Sequence, residues 1–239
     1  MQNYPPGYGQ QGGYPQQPQQ GYPQQQQGYA QGQQQYAQPG AMVQAPQAGM
    51  LPPNLMAPQF LVVRPWLSLM GRKFWVYGPG NGLVAFVKHP LLKLRPEFTI
   101  FSDESETAPF LHVKARTVIG FNICHDCFDP QTGARVGSLR RQGLKSMFKD
   151  TWDLLDANDQ VVGLMTEDSM SLLRRIFPII PGKWHVELGG QVVAKINQQF
   201  TFFSKKFDLD VSMGQGRLDP RFAIACAISA LFQEMTRQG

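Results

Sequence analysis

The beginning of the chain carries no charge. None of residues 1–58 is Asp, Glu, Lys or Arg, the first charged residue is Arg64, and no branched aliphatic residue comes before Val43. Such a segment cannot bury enough apolar surface to offset the entropy lost on ordering. We therefore predict that residues 1–58, rich in Gln, Pro, Gly and Tyr, are disordered and can be removed without changing the melting temperature, and that residues 59–239 form one domain.

Cysteine is also scarce. Three cysteines in 239 residues leave at least one thiol free and exclude a small disulfide-stapled secreted scaffold. The N-terminus has no basic stretch followed by an apolar one, so we expect no secretory signal. The apolar run Phe222–Phe232 would reach only about 16 Å as a helix, against about 30 Å of hydrocarbon. We therefore expect an intracellular protein, cytoplasmic or peripheral at the cytoplasmic face of a membrane.

Signatures of catalysis are missing from the sequence. It contains no GxSxG, HExxH or P-loop motif, and its four histidines fall in different predicted hairpins. Cys124 and Cys127 flank His125 and Asp126, but residues i and i+3 of a strand face opposite sides, so a shared zinc ion is not expected. We predict that the protein is not an enzyme and that calcium is its one candidate cofactor.

Short runs of Val, Ile, Phe and Trp dominate from Phe60 onward, and turn residues separate them. Five pairs of runs have the pattern of strand, turn and strand, beginning near Phe74, Phe98, Phe121, Thr151 and Lys183. With Phe60–Val63 and Phe203–Val211 as outer strands, about twelve strands are expected. A sheet of that size should curl and close, which predicts a mainly β fold built as a closed antiparallel barrel.

The C-terminal apolar run predicts what this barrel encloses. Asp219 is a good N-cap and Pro220 a good first helical residue for a helix that is apolar on all sides from Phe222 to Phe232. A helix of this kind must be buried over its whole circumference. We therefore expect it to pass through the middle of the barrel.

The end of the sequence resembles a known superfamily. QVVAKINQQF, then FDLDVSM and the apolar helix, are similar to the corresponding region of the Tubby-like superfamily, which includes phospholipid scramblases and LURP-one-related proteins. The resemblance covers about residues 60–237 and implies a twelve-stranded barrel and a role in lipid binding or at membranes. It also implies calcium ligands at Asp208 and Asp210, although Lys205 and Lys206 stand where the family pattern would offer further ligands.

A basic stretch is the main candidate for contact with lipid. No acidic residue lies between Ala134 and Lys149, and anionic headgroups attract such clusters. The alternative is a solvated face balanced by acids of neighbouring strands. Nucleic acid is not expected as a partner, because basic and aromatic residues are not interleaved. The headgroup candidates are Arg135, Arg140, Arg141, Lys145 and Lys149.

The insertion Ser169–Pro181, SMSLLRRIFPIIP, is the longest between two predicted hairpins. A short helix here would place apolar side chains on one side and Arg174 and Arg175 near the other. This pattern is typical of an interfacial membrane anchor and also of a plug over a barrel mouth. The membrane-insertion candidates are Leu173, Ile176, Phe177 and Ile179.

The N-terminal segment contains one candidate docking motif. Pro5, Pro6 and Tyr8 match the PPxY pattern that WW-type domains bind.

The sequence as a whole favours a non-enzymatic, membrane-associated phospholipid-binding or scramblase-like protein. The alternative is a soluble scaffold or adaptor that docks protein partners through residues 1–58.

Overall fold

A computed structural model describes most of the predicted domain. The described residues are 42–43, 51–65, 72–89, 97–117, 123–143, 150–168, 180–201 and 204–238. The chain divides into two units, Met1–Gly32 and Gln33–Gly239, and all described residues belong to the second.

Twelve strands form one closed sheet. Their buried apolar side chains form one core cluster, as expected of a sheet with one face on a core. The strands are β1 Gln59–Pro65, β2 Arg72–Tyr77, β3 Leu83–His89, β4 Phe98–Phe101, β5 Pro109–Thr117, β6 Cys124–Phe128, β7 Arg135–Arg141, β8 Thr151–Leu155, β9 Val161–Glu167, β10 Lys183–Leu188, β11 Gln191–Gln199 and β12 Ser204–Asp210.

The sheet is an antiparallel meander that closes on itself. Each strand pairs with its neighbours in sequence, and β1 pairs with β12 from Gln59 opposite Asp210 to Pro65 opposite Ser204. The tightest connection joins β10 to β11 through Gly189 and Gly190, whose φ angles of 56° and 76° require residues without a Cβ penalty. The predicted barrel of about twelve strands is confirmed.

The helix α1, Pro220–Gln238, lies inside the barrel. Every residue from Phe222 to Leu231 is buried, and these residues form one cluster with inward-facing side chains of the strands. Beyond them, the ring of Phe232 contacts Phe74, His89 and Phe98 with centroids 4.8 to 5.7 Å apart. The helix predicted to be apolar on all sides is therefore the core of the fold.

The start of α1 is held by a buried ionic cluster. Asp219 caps the helix, since its Oδ1 accepts from the backbone N–H of Arg221 at 2.9 Å. The guanidinium of Arg221 pairs with Asp219 at 2.7 Å and with Asp129 at 2.8 Å. Burial disfavours ionisation of Asp129, yet hydrogen bonds from Arg221 and the backbone outweigh it and lower the pKa of that carboxyl. The cluster ties the helix to the turn after β6.

The packed part of the chain begins before residue 59, the start of the predicted domain. Val43 and Leu55 are fully buried, and Leu55 lies in a 3-10 helix, Pro53–Met56. The backbone N–H of Val43 donates to Arg217 O at 2.9 Å, and its carbonyl accepts from Asp219 N–H at 2.7 Å. Gly137 leaves space for Val43, because a Cβ there would lie 2.8 Å from Val43 Cγ1. Packing against a distant strand was not visible in the local composition.

Candidate functional site

The two ends of the barrel differ in the charge of the segments that connect the strands. We call the end at which α1 begins the acidic end. Its connections are residues 78–82, 102–108, 129–134, 156–160, 189–190 and 211–219, and they carry seven acids and one base. The acids are Asp103, Glu104, Glu106, Asp129, Asp156, Asp159 and Asp219, and the base is Arg217.

The opposite end, which we call the basic end, has the reverse balance. The segments that join the strand ends there are residues 66–71, 90–97, 118–123, 142–150, 168–182 and 200–203. Most of these residues lie outside the described ones, but their sequence contains six bases and three acids. The bases are Lys93, Arg95, Lys145, Lys149, Arg174 and Arg175, and the acids are Glu97, Asp150 and Asp168.

Large apolar residues are also divided unequally between the ends. In the acidic-end connections they are limited to Val211, Met213 and Leu218. Every basic-end connection contains several, as in WLSLM, PLLKL, LKSMF and LLRRIFPII. Among the described residues, Phe200 at this end is 53 % exposed, whereas the exposed Met42, Met56 and Met213 lie at or beside the acidic end. The sequences of the basic-end connections therefore combine bases with large apolar residues, a composition typical of segments that contact lipid headgroups and acyl chains.

Two of the predicted headgroup residues, Arg140 and Arg141, each pair with an acid. The partner of Arg140 lies in β8, and the partner of Arg141 directly precedes β8. Arg140 faces outward and lies 2.8 Å from Asp153, directly opposite it in the sheet. Arg141 pairs with Asp150 at 3.1 Å, and Asp150 is fully buried. Both arginines therefore pair with acids of the barrel wall.

Arg135, another predicted headgroup residue, lies apart from Arg140 and Arg141. It lies at the opposite end of the seven-residue strand β7, about 20 Å away at ~3.3 Å per residue. Its guanidinium is 3.0 Å from Asp159 and donates to Ala157 O at 2.6 Å. The remaining headgroup candidates, Lys145 and Lys149, lie outside the described residues. The structure therefore does not gather the five predicted residues into one described patch.

Two further sets of predicted site residues lie wholly outside the described part of the chain. They are the membrane-insertion candidates Leu173, Ile176, Phe177 and Ile179, and the WW-type candidates Pro5, Pro6 and Tyr8. Both stay predictions. Among the residues that the structure describes, no helix has the length and apolar character needed to cross a bilayer.

The calcium candidates Asp208 and Asp210 face outward from β12. Asp208 Oδ1 accepts a hydrogen bond from Gln199 at 2.8 Å, and Asp210 Oδ1 accepts from the backbone N–H and the hydroxyl of Ser212. Burial disfavours ionisation of Asp210, but these bonds, with Gln59 and Lys195, outweigh it and lower the pKa. Within the described ranges, no three His, Cys, Asp or Glu side chains are grouped to hold a metal ion.

Cys124 and Cys127 face opposite sides of β6, as expected for positions i and i+3. Cys127 belongs to the core, and both thiols are buried. Burial raises the pKa of Cys124, and it raises that of Cys127 well above the usual value. Both thiols therefore remain protonated at neutral pH, which makes them poor nucleophiles.

His125 is a buried histidine that faces the barrel interior. Its ring stacks on Trp152, with centroids 6.1 Å apart and an interplanar angle of 25°. Neither ring nitrogen has a hydrogen-bond partner among the described residues. Burial is the main reason that the pKa of His125 is lowered to about 4, and the nearby His89 lowers it further while Asp126 opposes the shift. The imidazole is therefore neutral at physiological pH.

Sequence reasoning missed a groove on the outer wall, which extends from Glu97 at the basic end to Glu106 in the acidic-end connection 102–108. The groove has a volume of about 350 Å³ and lies across β3, β4 and β5. Its polar residues come from separate parts of the sequence, and only cross-strand register, such as Lys88 opposite Thr99 and Thr99 opposite His112, brings them together. The polar lining consists of Lys88, Glu97, Thr99, Glu106, His112 and Lys114.

Comparison with known proteins identifies the family. Residues 83–230 match the family model described as LOR, LURP-one-related. Among solved structures, the X-ray structure of a protein from Arabidopsis thaliana is similar at 14 % identity and a TM-score of 0.45, covering 83 % of this chain and 99 % of that one. So distant a likeness supports no further conclusion. No curated protein matches significantly. The family match spans more than half of the sequence, and the chain belongs to the LURP-one-related family.

Proposed function

We propose that this protein is not an enzyme and binds anionic phospholipid membranes through the basic end of its barrel. The observation that carries the proposal is the difference between the two ends. One end joins its strands through segments rich in bases and large apolar residues, and the other through segments dominated by acids. The protein would then lie at the cytoplasmic face of a membrane.

The charge difference between the two ends of the barrel would attract the protein to an anionic membrane and also orient it there. Each Lys or Arg near an anionic surface contributes about 1 kcal/mol, whereas the acids of the acidic end would be repelled if that end approached the surface. Leu, Ile and Phe side chains of the same segments would add apolar contact. Both contributions favour one orientation, with the axis of α1 pointing toward the bilayer.

Vesicle co-sedimentation tests the proposal. The full chain should bind vesicles containing phosphatidylglycerol more tightly than vesicles of phosphatidylcholine alone, and added salt should weaken binding, because exposed charges are screened within about 8 Å at physiological ionic strength. Lys145→Ser with Lys149→Ser should weaken binding roughly 30-fold, which corresponds to ~1 kcal/mol per charge. Lys195→Ser is the matched control, since Lys195 is exposed in β11 away from the strand ends.

Arg140 and Arg141 are unsuitable for this test. Replacing either would leave a largely buried carboxylate, Asp153 or Asp150, without its cation, and the resulting loss of stability would obscure a loss of binding. Equal affinity for neutral and anionic vesicles, or none for either, would refute the membrane proposal. The scaffold that docks partners through residues 1–58 would then be the better account.

A comparison of vesicle binding with thermal stability decides whether the insertion Ser169–Pro181 is a membrane anchor or a plug. If residues 169–181 form an interfacial anchor, Phe177→Ser should weaken vesicle binding and leave the melting temperature unchanged. If they form a plug, the same variant should melt at a lower temperature and keep its affinity for vesicles. Circular dichroism and co-sedimentation of one preparation separate the two.

A further inference from the structure

The outer-wall groove carries charges of both signs. The Nζ of Lys88 pairs with Glu106 at 2.9 Å, which neutralises one pair. Lys114 and Glu97 also line the groove, and neither contacts an oppositely charged side chain within the described part of the chain. The ammonium of Lys114 lies 5.6 Å from the centroid of the Phe128 ring. One cation and one anion are therefore available to a ligand in the same groove.

Neutral hydrogen-bonding groups lie between these charges. The hydroxyl of Thr99 and Nδ1 of His112 are 3.0 Å apart. Partial burial lowers the pKa of His112, and the positive charge of Lys114 lowers it further. With one ring nitrogen engaged by Thr99, a neutral imidazole still has its second nitrogen for a ligand.

The rim of the groove contains an unusual backbone conformation. Glu106 has a φ of +59°, in the left-handed region that residues other than Gly, Asn and Asp rarely adopt. The side chain of Glu106 accepts a hydrogen bond from Lys88, which is eighteen residues away in sequence. Such conformations are concentrated at binding and catalytic sites.

We propose that the groove binds a small zwitterion carrying a phosphate and a primary ammonium group, the chemistry of an aminoalkyl phosphate. Lys114 and one donor of the Thr99–His112 pair, either the Thr99 hydroxyl or the His112 ring N–H, supply the phosphate contacts, and the carboxylate of Glu97 receives the ammonium group. Because Lys88 and Glu106 neutralise each other, an anion alone would leave Glu97 unmatched and a cation alone would leave Lys114 unmatched, so a ligand with both charges complements the groove. A volume of about 350 Å³ accommodates such a compound with room for a glycerol unit.

This ligand could be a free metabolite or the headgroup of an aminophospholipid. The groove opens beside the basic end, because Lys88 and Glu97 flank the connection that carries Lys93 and Arg95. In its lipid form the inference rests on the proposed membrane function, since the bilayer must reach the outer wall there. If the ligand is a free metabolite, the inference does not depend on the proposed membrane function.

Isothermal titration calorimetry with the full chain tests the free form. O-phosphoethanolamine should bind saturably, whereas inorganic phosphate and ethanolamine, which each carry charge of only one sign, should bind at least about tenfold more weakly. Lys114→Gln and Glu97→Gln should each weaken the binding by about tenfold, the effect of one charge-assisted hydrogen bond. Lys195→Gln and Glu104→Gln are the matched controls, because both residues are exposed and neither lines the groove.

Vesicles distinguish the two sources of the ligand. If the ligand is a lipid headgroup, adding phosphatidylethanolamine to phosphatidylcholine vesicles should increase binding, and the two groove variants should abolish that increase while keeping the affinity for phosphatidylglycerol vesicles. The inference is overturned if neither O-phosphoethanolamine nor phosphatidylethanolamine vesicles bind, or if binding is unchanged in both groove variants. Failure of phosphatidylglycerol binding alone would refute only the proposed membrane function.

Discussion

Removal of the N-terminal segment should have different effects at two cut points. Deleting residues 1–41 removes no described residue, and we expect the melting temperature to stay unchanged. Deleting residues 1–58 also removes Val43 and Leu55, which are fully buried, and the two backbone hydrogen bonds that Val43 makes beside the start of α1.

The loss can be estimated from the two side chains. Burying a Val or Leu contributes about 1.5–3 kcal/mol, so the longer deletion should lower the free energy of unfolding by about 3–6 kcal/mol. For a domain of this size, each kcal/mol shifts the melting temperature by about 2–4 °C, which gives a decrease of roughly 6–24 °C. Thermal unfolding of the full chain and both deletions, followed by circular dichroism, measures the difference.

A point variant separates packing from chain length. Leu55→Ala in the full chain should destabilise it by about 2–5 kcal/mol, whereas Met56→Ala should change the stability by less than about 0.5 kcal/mol, because Met56 is 57 % exposed. Equal melting temperatures for the two deletions, together with a neutral Leu55→Ala, would show that this segment does not pack against the barrel in solution.

Two other predictions concern buried charge. The folded-state pKa of His125 is lowered to about 4 against 6.5 for the free side chain, so acidification from pH 6.5 to pH 4 protonates the unfolded chain first and reduces stability by up to about 3 kcal/mol. His125→Leu should flatten this part of the pH profile in urea titrations, and an unchanged slope would exclude His125 as its cause. Arg221→Met should lower the free energy of unfolding by about 3–5 kcal/mol, because it leaves Asp129 and Asp219 buried without their cation. Lys195→Met, at an exposed site, should be neutral, and equal midpoints for these two variants would contradict the role of Arg221.

The barrel could be predicted because its signals are local. The apolar circumference from Phe222 to Leu231 requires enclosure, and the repeated pattern of strand, turn and strand supplies the enclosing wall. Val43 could not be predicted, since it is an isolated apolar residue in a Gln-rich and Pro-rich tract and its burial depends on the space at Gly137.

The candidate sites depend on register, that is, on which residues of neighbouring strands lie opposite each other. The sequence specifies this register less directly than it specifies the strands themselves. Arg140 is predicted from local sequence to be an available cation, yet it lies directly opposite Asp153, and only the pairing of β7 with β8 reveals this. The groove is a similar case, because Lys88 and Lys114 are 26 positions apart in sequence and meet through β4. Clusters that form across strands are therefore seen only after the strands have been paired.

The position of α1 after all twelve strands affects how the protein folds during synthesis. β1 has no partner on its outer edge until β12, about 150 residues later, has left the ribosome, which at about 5–20 residues per second takes roughly 8–30 s. During this time the inward faces of the nascent strands have no helix to cover them, and their open edges can pair with other chains. Recombinant yield should therefore be sensitive to chaperone supply and growth temperature, and truncations within α1 should accumulate in aggregates rather than as soluble partial barrels.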